Sequence, residues 1–171
     1  MVGTARSNGN SSQVAKYLQD LLIFPLIDLN NYTIYPFNYN HDYPEDDDFQ
    51  FIISSVLRAD VIILVTPVYW YTVSTSMKIF MDRLTDLITI HKKQGRLLKG
   101  KYLFSMSCGA ADDMPDYFHE PFRLTAAYLD LHYGGFVHTW IDNSSIISES
   151  VKNRIESFYE NIISYHPIIT S

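Results

Sequence analysis

Residues 61–71 are Val-Ile-Ile-Leu-Val-Thr-Pro-Val-Tyr-Trp-Tyr, and this stretch decides the fold. Its first five residues are all apolar, as expected of a strand that is covered on both faces of a sheet. Residues 76–84 follow with apolar positions at helical spacing. The order is therefore a buried strand, an aromatic loop and a helix. In open α/β sheets, ligands bind just beyond the carboxyl ends of the strands, which is where residues 66–71 lie.

The rest of the chain alternates strand and helix patterns, which favours a parallel α/β sheet with helices on both faces. We predict strands at residues 26–29, 61–65, 102–107 and 133–141, and helices at residues 14–22, 51–56, 75–90, 115–131 and 151–163. We find no repeat and no linker, so residues 1–171 are expected to form one domain. The acidic run at residues 45–48 favours a helix N-terminus over a metal site.

The composition excludes several classes of protein. A chain of 171 residues that is 47% hydrophobic is long enough to bury a sizeable core. Its net charge of −6 argues against nucleic acid as a partner. It contains no apolar run long enough to span a membrane and no visible signal peptide. The single Cys108 excludes an internal disulfide and fits a reducing compartment, so we expect a cytoplasmic protein.

Residues 3–12, Gly-Thr-Ala-Arg-Ser-Asn-Gly-Asn-Ser-Ser, form the second informative stretch, here called the phosphate loop. Backbone amides at a helix N-terminus bind anions, and Thr4, Ser11 and Ser12 would add hydroxyl donors. Arg6 would add a charge-assisted hydrogen bond. The alternative is a polar turn that only caps the first helix. A phosphate site together with a flat aromatic site indicates flavin mononucleotide (FMN).

These two stretches resemble the NADPH-dependent FMN reductase family of flavodoxin-like proteins. Residues 3–10 are similar to the family's G-S-x-R-x-x-G-N loop, and residues 59–83 to its A-D-x-I-I-x-x-T-P-V-Y-W segment and the K-x-F-x-D-R helix that follows. The resemblance implies a flavodoxin-like, doubly wound, five-stranded parallel sheet with helices on both faces. One departure concerns the first strand, for which only Met1 and Val2 are present. Either the true start lies upstream or this strand is a stub.

The resemblance also implies a cofactor site. The FMN phosphate would lie at Thr4, Arg6, Asn10, Ser11 and Ser12, and the ring at Pro67, Val68, Tyr69, Trp70 and Tyr71. The loop Ser107-Cys108-Gly109 would approach the ring from the next strand. NAD(P)H would be the co-substrate, a small molecule would accept the electrons, and two copies would form a homodimer. Residues 35–43 contain no cysteine, which excludes the iron–sulfur cluster of some relatives.

For several single residues, a structural role is the alternative to a role in the cofactor site. At least one of Tyr69, Trp70 and Tyr71 is expected to pack in the core or an interface, because consecutive residues cannot all face one ring. Lys78, Asp82 and Arg83 are expected to organise their helix and its neighbours rather than to touch substrate. The histidines show no zinc-ligand spacing. His119 is expected at the surface, and the alternative is a position at the rim of the flavin site. Hydride transfer through a flavin requires no acid or base side chain, so we name no catalytic residue.

Three functions remain open on the sequence. The first is an NAD(P)H-dependent oxidoreductase that reduces a flavin, quinone, azo or nitro compound through bound FMN. The second is a flavodoxin-like electron carrier without nicotinamide activity, whose acidic charge would suit a basic partner. The third is a non-catalytic module with a degenerate flavin site, which the nearly absent first strand motivates.

Overall fold

The computed structural model describes residues 1–22, 24–142 and 146–165. Three parallel strands lie in chain order, β1 (Val61–Pro67), β2 (Tyr102–Gly109) and β3 (His132–Trp140). The α-helices are α1 (Asn10–Leu22), α2 (Phe49–Arg58), α3 (Thr75–Arg83), α4 (Lys92–Gly95), α5 (Glu120–Tyr128) and α6 (Glu149–Tyr165). Short 3₁₀ helices cover Leu29–Asn31, Leu84–Leu87, Arg96–Leu98 and Asp116–His119. The prediction of a parallel α/β sheet is therefore confirmed.

The prediction of five strands is wrong, since the described residues contain three. The two remaining positions are marked only by isolated parallel bridges that Val2 makes to Val65 on one side and to Asp28 on the other. Met1 and Val2 are too few residues to form a strand, and the predicted strand at 26–29 is interrupted at Asp28. There the side chain of Asp28 accepts a hydrogen bond from the amide of Asn30 at 3.0 Å and starts a 3₁₀ turn. A cavity of about 1110 Å³ lies at this end of the sheet, beside Met1.

Apolar side chains cover the sheet on both faces. On one face, α1 and α6 pack against residues such as Val65, Phe104 and Met106. On the other face, α2, α3 and α5 pack against residues such as Leu64 and Leu103. Two helices are shorter than predicted, because α3 gives way to a 3₁₀ turn at residue 84 and α5 begins only at residue 120. Within the described ranges, no helix is both long and apolar enough to cross a membrane.

A buried ion-pair cluster around Arg83 fastens the long segment before α2 to the end of α3. Arg83 is 1% exposed. Its Nη1 and Nη2 atoms donate to the two carboxylate oxygens of Asp47 at 2.6 and 3.0 Å, and its Nε donates to Asp86 at 2.8 Å. Nη1 also donates to the carbonyl oxygen of Tyr35 at 2.9 Å, and the guanidinium lies 3.5 Å from the ring centroid of Tyr43. Arg83 therefore connects its helix to the segment at residues 35–47.

Replacement of Arg83 tests this role. We expect Arg83→Met to lower the free energy of unfolding by about 3–5 kcal/mol, since the carboxylates of Asp47 and Asp86 lose the buried guanidinium that pairs with both. The matched control is Lys78→Met, which breaks the exposed ion pair with Asp82 and should cost below about 1 kcal/mol. Urea titration followed by circular dichroism measures both values. Equal losses in the two variants would contradict a specific role for the buried cluster.

Candidate functional site

The phosphate loop runs from Gly3 to the first turn of α1, at the carboxyl end of β1. The amide of Gly3 donates to the carbonyl oxygen of Val65 at 2.9 Å, which fixes where the loop leaves the sheet. The carbonyl oxygen of Gly9 accepts from the amides of Ser12 and Gln13 at 3.1 Å and starts the helix. The free amides of a helix's first turn favour an anion, so the loop has the polarity that a phosphate requires.

The predicted phosphate ligands differ in how they are placed. Arg6 is exposed, whereas Ser11 and Ser12 are buried. Among the described residues, Ser12 Oγ has no hydrogen-bond partner. Asn10 is already engaged, since its Nδ2 donates to the carbonyl oxygen of Ile141 at 3.2 Å.

The fifth predicted phosphate ligand, Thr4, is fully used inside the protein. Its hydroxyl donates to the carbonyl oxygen of Arg6 at 2.7 Å and accepts from Asn30 Nδ2 at 3.0 Å. Thr4 therefore shapes the phosphate loop, and its side chain faces Asn30 and the backbone of Arg6.

Two serine hydroxyls fasten the phosphate loop to the start of α3. Ser74 Oγ donates to the carbonyl oxygen of Gly3 at 2.7 Å and accepts from the amide of Met77, which caps the helix. Ser76 Oγ donates to the carbonyl oxygen of Thr4 at 3.2 Å. A Cβ at Gly3 would lie 3.0 Å from both the Cβ and the amide nitrogen of Met77, so a side chain at residue 3 would separate these two segments. The phosphate loop and the loop after β1 are therefore one unit.

Residues 69–72 form a tight turn, here called the aromatic turn, in the loop between β1 and α3. Tyr69 and Thr72 exchange two backbone hydrogen bonds of 2.9 and 3.0 Å. The central residues Trp70 and Tyr71 have φ of 50° and 61°. Positive φ at both central positions is typical of a type I′ turn, which normally contains Asn and Gly. Two bulky residues therefore hold a strained backbone there, and Trp70 is 93% exposed.

The base of the aromatic turn joins β2. The amide of Val68 donates to the carbonyl oxygen of Cys108 at 3.0 Å. Pro67 is the last residue of β1, and Val68 packs against the core. Tyr69, Trp70 and Tyr71 are all exposed, so none of them lies in the core of this chain.

The side chains of Ser107 and Cys108 point into the protein. Cys108 is buried against the cluster under α1 and α6, and burial raises the pKa of its thiol. Ser107 is completely buried and bonds two histidines. Gly109 is partly exposed, and its carbonyl oxygen accepts from the amide of Ile141 at 3.2 Å. The backbone of this segment contacts the neighbouring loops, since the carbonyl oxygens of Cys108 and Gly109 accept from Val68 and Ile141.

A buried polar cluster that we did not predict from the sequence surrounds Ser105 and Ser107. His119 is only 2% exposed, so its predicted surface position is wrong. Its two ring nitrogens bond Ser105 Oγ and Ser107 Oγ at 2.8 and 3.0 Å, and Ser107 Oγ also bonds His138 Nδ1 at 2.9 Å. Burial, followed by the nearby His138, lowers the pKa of His119 to about 3. His119 is therefore neutral at physiological pH.

A sequence signal for this cluster existed. Ser105 and Ser107 are two residues apart in an otherwise apolar buried strand, so they share one face. Buried hydroxyls require partners, which implies polar side chains from the neighbouring elements. No group of three or more His, Cys, Asp or Glu side chains in the described part of the chain has the geometry of a metal site.

The chain belongs to the NADPH-dependent FMN reductase family, whose model matches residues 1–133. YwqN of Bacillus subtilis (strain 168), whose name describes an NAD(P)H-dependent FMN-containing oxidoreductase, is 33% identical over 97 residues, which cover 50% of each chain. The chain thus matches about half the length of this curated relative.

Solved structures show the fold. The Trp repressor binding protein from Bacillus subtilis has a TM-score of 0.65 and 18% identity, covering 95% of this chain and 94% of that one. A flavodoxin from Streptococcus pneumoniae TIGR4 has a TM-score of 0.61 and 17% identity, covering 96% of both chains. The fold is therefore flavodoxin-like, as predicted, although with three strands among the described residues.

The strain in the aromatic turn leads to a prediction about stability. Replacing Trp70 and Tyr71 together by Asn and Gly should raise the free energy of unfolding by about 1–2 kcal/mol, because the left-handed backbone no longer opposes a Cβ at residue 71. The control Tyr39→Asn removes a 90% exposed aromatic that lies outside the turn, and it should leave stability nearly unchanged. Thermal and urea unfolding measure the difference. A destabilised double variant would mean that the two aromatic side chains stabilise the folded chain.

Proposed function

We propose that this protein binds FMN and transfers hydride from NAD(P)H through it to a flavin, quinone, azo or nitro compound. One observation carries the proposal. The phosphate loop and the aromatic turn, which are 60 residues apart in sequence, are held together at one sheet edge by Ser74 and Ser76. A phosphate site and an aromatic surface in one unit suit a molecule that contains both a phosphate and a flat ring. The family to which the chain belongs supports the same cofactor.

The residues present fit the phosphate end of FMN. Ser12 Oγ is buried without a partner in the first turn of α1, and an anion there would satisfy it. The exposed Arg6 stands at the same loop and has the charge to pair with a dianion. A Cβ at Gly9 would lie 3.3 Å from Arg6 Cγ, so a glycine there lets Arg6 fold back over the loop. Asn10 and Ser11 complete the predicted set, and Thr4 contributes by shaping the loop.

The ring would lie along the segment from Pro67 to Tyr71, with the backbone of residues 107–109 on the β2 side. The amides of Trp70 and Tyr71 take no part in the two hydrogen bonds of the turn, so they remain available to a ring oxygen or nitrogen. Such amide donors stabilise negative charge that hydride transfer leaves on a ring. Because Trp70 is almost fully exposed, its indole offers a face for a second flat molecule.

The chemistry of the proposed reaction belongs to FMN, which accepts hydride and passes it on when bound. The chain's own residues bind and orient the reactants. The residues of the phosphate loop hold one end of the cofactor, and the aromatic turn holds the other. Because nicotinamide and acceptor are both flat, they would occupy in turn the face of the bound ring that the chain leaves open. We propose no acid or base side chain in direct contact with the reactants.

The proposal extends to the assembly and location of the protein. A homodimer would cover the exposed aromatic turn and border the proposed flavin site with a second copy. Tyr69, Trp70 and Tyr71 are all exposed in the single chain, which supports such a contact. The lone buried cysteine supports a reducing compartment such as the cytoplasm.

Flavin spectroscopy tests the proposed function. We expect the purified protein to bind added FMN with the visible bands of an oxidised flavoprotein, and to lose those bands when NADPH or NADH is added without oxygen. Protein that binds FMN but is bleached by neither nicotinamide would be an electron carrier instead. Protein that refuses FMN would be a non-catalytic module. Once bleaching is established, a panel of quinone, azo, nitro and flavin acceptors identifies the substrate class.

A substitution in the phosphate loop tests the binding site itself. We expect Arg6→Ala to weaken FMN binding by about 1.5–3 kcal/mol, the range for a hydrogen bond to a charged group. Lys16→Ala removes an exposed positive charge from α1 and is the matched control, with unchanged affinity expected. Fluorescence titration of FMN against both variants gives the dissociation constants. Unchanged affinity in Arg6→Ala would place Arg6 outside the site.

A further inference from the structure

Five hydrogen bonds form one continuous line that joins β2 and β3 to His119 and to the loop after β2, here called the polar chain. Its members, in order, are Tyr133 OH, Ser105 Oγ, the His119 ring, Ser107 Oγ, the His138 ring and the carbonyl oxygen of Ala111. In that order the five distances are 2.6, 2.8, 3.0, 2.9 and 2.9 Å. Each of the two serines bonds a group on both sides, and each histidine uses both ring nitrogens. The polar chain is therefore complete from one end to the other.

The carbonyl of Ala111 sets the direction of every hydrogen bond in the polar chain. A carbonyl only accepts, so His138 Nε2 must donate, and Nδ1 of the neutral ring must accept from Ser107. The hydrogen of Ser107 is then used, so His119 Nε2 must donate to Ser107. His119 Nδ1 therefore accepts from Ser105, and Tyr133 donates to Ser105. With both rings neutral, this is the single arrangement in which all five bonds have one hydrogen each.

Protonation of His138 reverses the whole polar chain. Both nitrogens of the charged ring donate, so Nδ1 now donates to Ser107, whose own hydrogen needs another acceptor. Ser107 is completely buried, and a buried hydroxyl without an acceptor is costly. Its available acceptor is His119 Nε2, which requires His119 to carry its hydrogen on Nδ1. That hydrogen then points to Ser105, Ser105 donates to Tyr133, and Tyr133 donates outward.

We propose that the polar chain is a proton relay that delivers a proton from solvent at Tyr133 to His138, beside the loop that follows β2. A proton enters at the Tyr133 hydroxyl, and each member passes its own hydrogen to the next. The relay ends with an added hydrogen on His138 Nδ1. Tyr133, both serines and His119 are neutral before and after. No electron moves, and solvent supplies the proton.

The two ends of the polar chain lie where such a relay needs them. Tyr133 is half-buried and lies near the ion pair of Glu120 and Arg123 on α5. At the other end, His138 bonds the loop at Ala111, and a Cβ at Gly109 would lie 3.1 Å from His138 Cε1. The relay thus connects a half-buried tyrosine with the segment that borders the candidate flavin site.

Other charged groups around His138 are paired among themselves. Arg154 on α6 binds both carboxylate oxygens of Asp112 at 2.8 Å, just beyond Ala111. The same guanidinium lies 4.6 Å from the ring centroid of Trp140, and that ring stacks on His138 at 6.2 Å. On the side of β2, His138 faces the neutral His119 through Ser107. A proton on His138 is therefore stabilised mainly by the acceptors Ser107 and Ala111.

The inference rests on the proposed function in one respect. Hydride transfer leaves negative charge at the proposed site, and a proton on His138 would offset it. His138 would then be a positioning residue that acts through the loop at residues 109–112 rather than by touching the reactants. The relay itself, however, is a property of the protein alone and is testable without FMN or nicotinamide.

Nuclear magnetic resonance of the imidazole nitrogens tests the relay in the protein without ligand. In protein labelled with ¹⁵N-histidine, we expect both His119 and His138 to carry hydrogen on Nε2 in mildly alkaline buffer. On acidification His138 should become doubly protonated, and in the same transition His119 should stay neutral but move its hydrogen to Nδ1. A His119 ring that keeps its Nε2 hydrogen throughout, or that gains charge together with His138, would overturn the relay.

Removal of the Tyr133 hydroxyl supplies the decisive variant. In Tyr133→Phe the reversed polar chain leaves the Ser105 hydrogen without its acceptor, so protonation of His138 becomes harder. We expect the midpoint of the His138 titration to fall by about one pH unit, although residue 133 does not contact His138. The control Tyr128→Phe removes the hydroxyl of an exposed tyrosine on α5 and should shift nothing. An unchanged midpoint in Tyr133→Phe would overturn the relay.

The outcome for the relay and the outcome for the proposed function are distinguishable. Protein that shows the coupled histidine transition but does not bind FMN retains the relay and loses the proposed function. Protein that binds FMN and oxidises NADPH, but shows no tautomer change at His119, retains the function and loses the relay. If both hold, Tyr133→Phe should also reduce proton uptake during reduction of the FMN-loaded protein, as measured with a pH indicator in weak buffer.

Discussion

The constraint on which the rest of the structure depends is the placement of Val2 between two other segments. Its amide donates to the carbonyl oxygen of Ile27 at 2.8 Å, and its carbonyl oxygen accepts from the amide of Leu29 at 2.9 Å. Met1 and Gly3, on either side of it in sequence, bond to Val65. These few hydrogen bonds take the place of the hydrogen bonds of a complete strand. They fix Gly3, and through Gly3 they fix the phosphate loop and its attachment to Ser74.

The sequence allowed the broad architecture to be predicted because buried parallel strands are nearly continuous apolar runs. β1 and β2 contain such runs, and both were found close to their observed bounds. The prediction of a strand at residues 26–29 was wrong. The pattern there is apolar, but the backbone geometry is set by a single carboxylate, that of Asp28. The predicted end of α3 at residue 90 was wrong for a similar reason. Apolar residues continue past Arg83, but the Arg83–Asp86 bond of the buried cluster lies where the helix tightens into a 3₁₀ turn.

The candidate site was predictable as segments but not as side chains. Residues 3–12 and 66–71 were identified from their residue types alone. Glycine and hydroxyl residues before a helix indicate an anion site, and aromatic residues after a strand indicate a site for a flat ring. The direction of each hydroxyl depends on partners far away in sequence. Thr4 is engaged by Asn30, and Ser107 by His119 and His138. Nothing local to Thr4 or Ser107 in the sequence indicates these partners.

The polar chain also shows how a buried network gains specificity from one acceptor. Hydroxyls and neutral imidazoles both donate and accept, so five such groups in a row have no intrinsic direction. The carbonyl of Ala111 gives all of them one direction, and a charge on His138 reverses that direction. Such a line holds two well-defined states without any movement of the backbone.

The burial of Cys108 has a consequence for how this protein tolerates reactive molecules. It is the only cysteine of the sequence, it is 4% exposed, and burial raises the pKa of its thiol. Quinones and related electrophiles alkylate proteins chiefly through exposed thiolates, and this surface presents none. The chain therefore offers such compounds no exposed thiolate. For the same reason, the chain is a convenient host for a single introduced surface cysteine, which would take a spectroscopic label without competition.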